Sequence, residues 1–323
     1  MTRLIRLLGA LALASAAHAA DFPTRPITLV VPFAPGGFVH TVALMFSESM
    51  SAILGQPVVV VNQPGVNGSL AANNVAKATP DGYTIFLPTT SIVTINPHLY
   101  KSVQYDPRTD FVPIGQIVST SNMFVVNPAS DIKSLKDLID RAREKPGAVS
   151  YGSSGNGSVQ HLAGELLEQQ AKIKFLHVPY KGIGPAVTDV MGGNITFVFS
   201  DASAIPNVKG GRLNAIAVSP KAIGELPGVP SVAEAAAIAG VPGFSPPVLW
   251  YGLIAPKGTP NDVIAKLNDA MAQTLKKPEI RERLLASGAL PAENTSSDYL
   301  SGVIKTEYDR YGAMMKAMNI APE

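Results

Sequence analysis

A chain of 323 residues with 46% apolar and 15% charged side chains is long enough for two packed bodies and too apolar to remain disordered. Its formal net charge of +2 comes from Arg3 and Arg6 in the leading segment, and no basic stripe elsewhere points to nucleic acid. Cysteine is absent, which excludes disulfides, thiolate metal sites and a lipidated cysteine.

The first element in the chain reads as an export signal. Arg3 and Arg6 precede an apolar stretch, 7–17, that is too short to span a bilayer, and Ala17-His18-Ala19 has the small-x-small form of a cleavage site. Cleavage is expected after Ala19, so 1–19 is set aside as signal peptide. No later run approaches the roughly 18 apolar residues of a membrane span. The mature chain is therefore expected in the periplasm, not inserted in the membrane.

Residues 27–33 form a near-continuous β-branched run, as a strand buried on both faces would. Gly36-Gly37 breaks it, and Val42, Met45, Phe46, Met50 and Ile53 then mark one helix face. A strand at 58–61, a turn at 64–68 and a helix to about Ala78 follow, and Asp81-Gly82 turns the chain into a strand at 84–87. The same order returns later. A strand at 149–151 leads through a glycine/serine loop, 152–158, to a helix face of Val159, Leu162, Ala163, Leu166 and Leu167. A strand at 175–178, a loop at 181–184, a helix from Pro185 and a strand at 195–199 complete the unit.

A second echo links 125–145 with 253–275. Each reads as strand, proline turn and helix, with faces Leu135, Leu138, Ile139, Ala142 and Val263, Ile264, Leu267, Met271, Leu275. This alternation predicts an α/β fold of two lobes, each a mostly parallel sheet flanked by helices. The chain is expected to cross between lobes near 119–123 and 248–252. The first lobe would hold 21–120 plus 252–323 and the second 121–251, and two crossing strands make a hinge that can close over a ligand.

Four glycine-rich loops, 34–38, 65–69, 153–158 and 181–184, lie beyond the carboxyl ends of these strands, each ahead of a helix. Glycine lets the backbone approach closely, and the unpaired N–H groups of a helix start attract an anion. Ser153, Ser154 and Ser158 add hydroxyls that donate to a carboxylate or cap a helix. Turn glycines and capping serines explain any one loop; four at equivalent positions favour binding. No G-x-S-x-G, H-E-x-x-H or phosphate-loop motif occurs, and no nucleophile–base pair is legible. His40, His98, His161 and His177 are never four apart, so neither metal nor cofactor is expected. His161 reads as a structural or capping residue or as a base; Tyr180 and Lys181 read as ligand contacts or as an exposed turn.

Several segments together resemble the Bug-type receptors of tripartite tricarboxylate transporters. They include Val31-Pro32-Phe33-Ala34-Pro35-Gly36-Gly37, Asn62-Gln63-Pro64-Gly65, Pro80-Asp81-Gly82-Tyr83-Thr84 and Tyr151-Gly152-Ser153-Ser154-Gly155. His177-Val178-Pro179-Tyr180-Lys181-Gly182, Trp250-Tyr251-Gly252-Leu253 and Ala255-Pro256-Lys257-Gly258 extend the likeness along the mature chain. The resemblance implies a type II periplasmic-binding-protein fold. Its cleft would hold a carboxylated ligand through backbone amides and ordered water. The loops that would face the ligand carry Phe33, Ala34, Pro35, Gly36, Gly37 and Phe38, then Thr89, Thr90 and Ser91. Further on they carry Ser153, Ser154, Gly155, Asn156, Gly157, Ser158, Tyr180, Lys181, Gly182 and Asp201. Two membrane subunits that accept the ligand are the implied partners, and a monomer is expected.

The chain departs from the family where the family commonly has a small residue, an acid and an arginine. Those positions hold Phe38, His40 and Leu44. His40 and His161 therefore join the candidate site. Phe38 either stacks on an aromatic acid of the terephthalate or nicotinate kind or packs beneath its loop. The expected role is non-enzymatic capture and delivery of a small mono- or dicarboxylate. A receptor presenting ligand to a membrane sensor kinase, and an enzyme on the same scaffold, are the alternatives.

Overall fold

The computed structural model describes residues 22–35, 38–180, 182–219, 226–317 and 322. The expected signal peptide lies outside them, as do Gly36, Gly37 and Lys181. Among the described residues no helix is long and apolar enough to cross a membrane.

Two sheets organise the chain. The first is built from β1 (Ile27–Val31), β2 (Val58–Asn62), β3 (Thr84–Phe86), β4 (Phe111–Thr120), β10 (Trp250–Pro256) and β11 (Ala289–Pro291), in the order β11-β4-β10-β3-β1-β2. Between them run α1 (Phe38–Leu54), α2 (Ser69–Ala76), a π-turn at Ser91–Ile95 and the short α3 (Asn96–Leu99). The second sheet holds β5 (Asn122–Val126), β6 (Ser150–Ser153), β7 (Leu176–Pro179), β8 (Phe197–Asp201) and β9 (Asn214–Ser219), in the order β7-β6-β8-β5-β9. Its helices are α4 (Leu135–Glu144), α5 (Val159–Ala171), α6 (Ile183–Met191), α7 (Ile205–Lys209) and α8 (Val232–Ile238). The chain then closes with α9 (Asn261–Lys276), α10 (Pro278–Ala286) and α11 (Ser297–Ala317).

The strand period of two separates each sheet into two apolar faces. Ile27, Leu29 and Val31 point into one cluster with Val42, Met45 and Phe46 of α1, while Val30 joins Ala71, Ala72 and Val75 of α2 on the other. In the second sheet Phe124 and Phe197 pack with α4 and α5, whereas Met123, Val125 and Val198 pack with α6. Both faces are thus covered, which is why the strands read as unbroken hydrophobic runs.

The two-lobed α/β architecture matches the sequence reading, but the sheets are mixed, not mostly parallel. β1 pairs in parallel with β2 and β3, and β6 with β7 and β8. Pairs involving β4, β5, β10 and β11 are antiparallel. Parallel pairing needs a crossover helix between the strands. Among the described residues the parallel pairs fall within the two repeated strand–loop–helix units, and every antiparallel pair includes β4, β5 or β10, the strands that adjoin the passages between lobes.

β4 ends at Thr120 in the first sheet and β5 starts at Asn122 in the second, so Ser121 alone separates the two. The return strand β10 enters the first sheet at Trp250, paired with Ser119. The final helix belongs to neither lobe alone. Leu300 and Ile304 of α11 sit in the first-lobe core, while Tyr311 and Met315 join the second-lobe core.

Candidate functional site

Facing loops of the two lobes enclose a cavity of about 310 Å³. Three helices open onto it with their first residues, Phe38 of α1, Val159 of α5 and Ile183 of α6. Each such end carries unpaired N–H groups and is worth about 0.3–1 kcal/mol to an anion. The remaining glycine loop contributes less: α2 starts at Ser69, which is not part of the wall, and only Asn67 reaches the cavity.

Local structure explains how the polar lining is held. Asn62 donates through Nδ2 to the Phe33 carbonyl at 2.6 Å and ties down the segment that follows β1. Thr89 forms an isolated antiparallel bridge with Tyr251, fixing it opposite the return strand. Ser158 caps α5 by accepting the His161 N–H at 3.2 Å, and Ser154 donates to Gln160 Oε1 at 2.9 Å. Asp201 ends β8 and accepts the Ser203 N–H at 3.0 Å, so its carboxylate is anchored at the wall.

Of the residues expected to face a ligand, Phe33, Phe38, His40, Thr89, Ser91, Ser154, Ser158, Gly182 and Asp201 line this cavity. The others described do not. Ala34 and Pro35 are exposed and off the wall. Thr90 is fully buried, its hydroxyl accepting the Trp250 N–H at 2.8 Å, and so belongs to the hinge. Ser153, Gly155, Asn156 and Gly157 form the back of their loop, with the Asn156 carbonyl accepting from Tyr100 at 3.3 Å. His161 is turned inward, its Nδ1 accepting the Gly157 N–H at 3.1 Å. Tyr180 donates to Asp189 at 2.5 Å; desolvation and that bond push its hydroxyl pKa up to about 12.

The wall also holds Asn67 and Ile183, which lie on two of the glycine-rich loops but were not singled out, and Val39, Val159, Gln160, Leu249 and Tyr251, which sequence reading missed. Most of these could have been found. Val39, Val159 and Gln160 stand within two residues of a glycine or serine loop, and Leu249 and Tyr251 lie at the expected crossing. Phe38 stands at the cavity and in a packing contact at once. Its ring lines the cavity and packs against Tyr251, centroids 5.3 Å apart at 50°. Leu44, by contrast, is half exposed and outside the wall.

Residues 42–320 match the tripartite tricarboxylate transporter family receptors. The chain belongs to this family. BugT of Bordetella pertussis is 33% identical over 325 residues, 98% of this chain and 97% of that protein. An R. palustris protein solved with adipate superposes at TM-score 0.82, with 33% identity over 94% of this chain and all of that one. MatC from Rhodopseudomonas palustris with bound malate gives 0.79, with 30% identity over 91% and 99% of the two chains.

The receptor's cavity carries few charged side chains among its described lining residues. Among the described lining residues there is no lysine or arginine; Asp201 is the one carboxylate, and Nδ1 of His40 is buried without a hydrogen-bond partner. The receptor also holds a serine–histidine pair that the sequence did not reveal, Ser153 Oγ lying 2.7 Å from His177 Nε2. Ser153 is fully buried and outside the wall, out of reach of a cavity ligand. Among the described residues no three histidine or acidic side chains cluster closely enough to hold a metal ion.

Proposed function

We propose that this receptor captures a small organic mono- or dicarboxylate between its lobes in the periplasm and passes it to the membrane subunits of a tripartite tricarboxylate-type transporter. The observation that carries this reading is the convergence of three helix N-termini, one from the first lobe and two from the second, on one cavity. An anion between them gains from both lobes at once, so binding favours closure. The bodies that would move are those expected from the sequence, 21–120 plus 252–323 and 121–251, except that α11 packs on both cores and so bridges them. The adipate and malate seen in similar structures support a carboxylate ligand. The Phe38–Tyr251 wall adds room for an aromatic acid. Capture without turnover is supported by the place of the Ser153–His177 pair, which lies off the cavity wall.

A thermal-shift and calorimetric screen of the mature chain against adipate, malate, benzoate, nicotinate and terephthalate tests this. At 100 times Kd a true ligand adds about 2.7 kcal/mol of stability. Stabilisation by a neutral sugar or a metal cation, with none by any acid, would overturn the reading.

A further inference from the structure

Behind the serine–glycine loop lies a row of rings that is not part of the cavity wall. His177, Tyr151 and Phe197 are cross-strand partners on β7, β6 and β8. Their rings stack accordingly: Tyr151 lies 4.8 Å from His177 at 25°, and 5.6 Å from Phe197 at 23°. His161, coming from α5, extends the row; its ring lies 4.2 Å from that of His177 and 12° from parallel.

Both imidazoles spend their nitrogens on the loop. His161 Nδ1 accepts the Gly157 N–H at 3.1 Å, and His177 Nε2 meets Ser153 Oγ at 2.7 Å. The same Ser153 oxygen bonds the Gly155 N–H and carbonyl, each at 3.1 Å. These ties are needed because the loop is intrinsically loose. Gly155 (φ +126°) and Gly157 (φ +70°) adopt conformations that only glycine takes without strain. The stretch they turn carries Ser154 and Ser158, which face the cavity.

The hydrogen bond to Gly157 settles the tautomer of His161. Nδ1 must hold a lone pair, so the proton sits on Nε2, 3.7 Å from Glu165 Oε1 on the same helix. Protonating Nδ1 would set two donors against each other and place a cation on the His177 ring. The remaining titratable neighbours are His177 itself, from β7, and Tyr151, from β6, whose hydroxyl donates to the His161 carbonyl at 3.4 Å. Burial holds both imidazoles neutral, their pKa values pushed down to about 4, with each His177 proton further opposed by His161.

We propose that His161, stacked on His177, is a positioning residue whose unprotonated Nδ1 fixes the 153–158 loop for its ligand, so that protonating this imidazole weakens binding while the lobe stays folded. The proposal rests on carboxylate capture in the cavity. It gives the receptor an affinity that declines in acid through a group the ligand never contacts.

The test combines ¹⁵N-imidazole NMR of the unliganded protein with calorimetry on the acid panel named above for wild type, His161→Leu and His161→Asn. Wild-type Nδ1 should be unprotonated at pH 7, and the Gly157 amide should titrate together with His161. His161→Leu should bind at least about tenfold more weakly at pH 7. His161→Asn, whose amide oxygen can still accept from Gly157, should recover most of that loss. The ratio of wild-type to Asn affinity should then fall as pH approaches 4, a comparison from which the ligand's own titration cancels. A protonated Nδ1 at pH 7, or a folded Leu variant that binds as tightly as wild type, overturns the proposal and leaves carboxylate capture standing. If a neutral sugar or a metal cation binds wild type and no acid does, both fall.

Discussion

Trp250 is the chain's single tryptophan and stands where β10 re-enters the first sheet, so its fluorescence reports on the hinge. Its indole N–H donates to Glu307 Oε2 of α11 at 2.6 Å. Burial pushes the Glu307 carboxyl up to about 7, only partly opposed by that hydrogen bond and by Arg310. A carboxyl raised in the fold favours folding when protonated. Its contribution is therefore complete below about pH 4.5, the ordinary glutamate value, and is lost as pH rises to about 7. That interval corresponds to about 3 kcal/mol at 1.36 kcal/mol per pH unit. Glu307 keeps an edge in water, and solvent screening trims the expected effect to about 2 kcal/mol. Glu307→Gln retains an acceptor for the indole and removes the titration. Urea unfolding followed by Trp250 fluorescence should show wild type and variant alike near pH 4, with the variant about 2 kcal/mol more stable at pH 8. Equal stability at pH 8, or a gap that ignores pH, would refute the argument.

Other expectations follow from single contacts. Phe38→Ala should weaken terephthalate or nicotinate several-fold more than adipate in calorimetry, because the ring packed on Tyr251 forms the aromatic wall; equal losses would assign Phe38 to packing alone. Asp201→Asn keeps an oxygen for the Ser203 N–H and removes the negative charge. Adipate should bind the variant at least as tightly as wild type, while malate, whose hydroxyl can donate to the carboxylate, should lose about tenfold; the reverse order would deny Asp201 a place at the ligand. At Gly164 an added Cβ would come within 2.4 Å of the Tyr151 ring, which is fully buried and stacked on His177. Gly164→Ala should therefore cost about 1–3 kcal/mol, read as a lower melting temperature, and an unchanged melting point would count against the close packing.

The lobes were legible in the sequence because burial on both faces writes itself into local composition. The run at Ile27–Val31 and the helix faces Val42-Met45-Phe46 and Leu135-Leu138-Ile139 could be read without tertiary knowledge, since each follows its element's own period. Strand direction could not. Whether β4 lies parallel or antiparallel to β10 depends on the end from which each enters the sheet, and no local pattern records that.

The candidate site divides in the same way. Glycine before a helix and serine at a cap are local signals, so the sequence by itself pointed to the loops that carry Phe38, Ser154, Ser158 and Gly182. Which side of each loop faces the cavity depends on what stands behind it. Thr90 is turned to the hinge by Trp250, Ser153 to the core by His177, and His161 to the loop's back by Gly157. Those partners lie 160, 24 and 4 residues away. The sequence determined which residue types sit near the cavity; tertiary packing decided which of them face it. A polar side chain at a loop points wherever its hydrogen bonds can be completed, and for most of these the completing groups come from other strands.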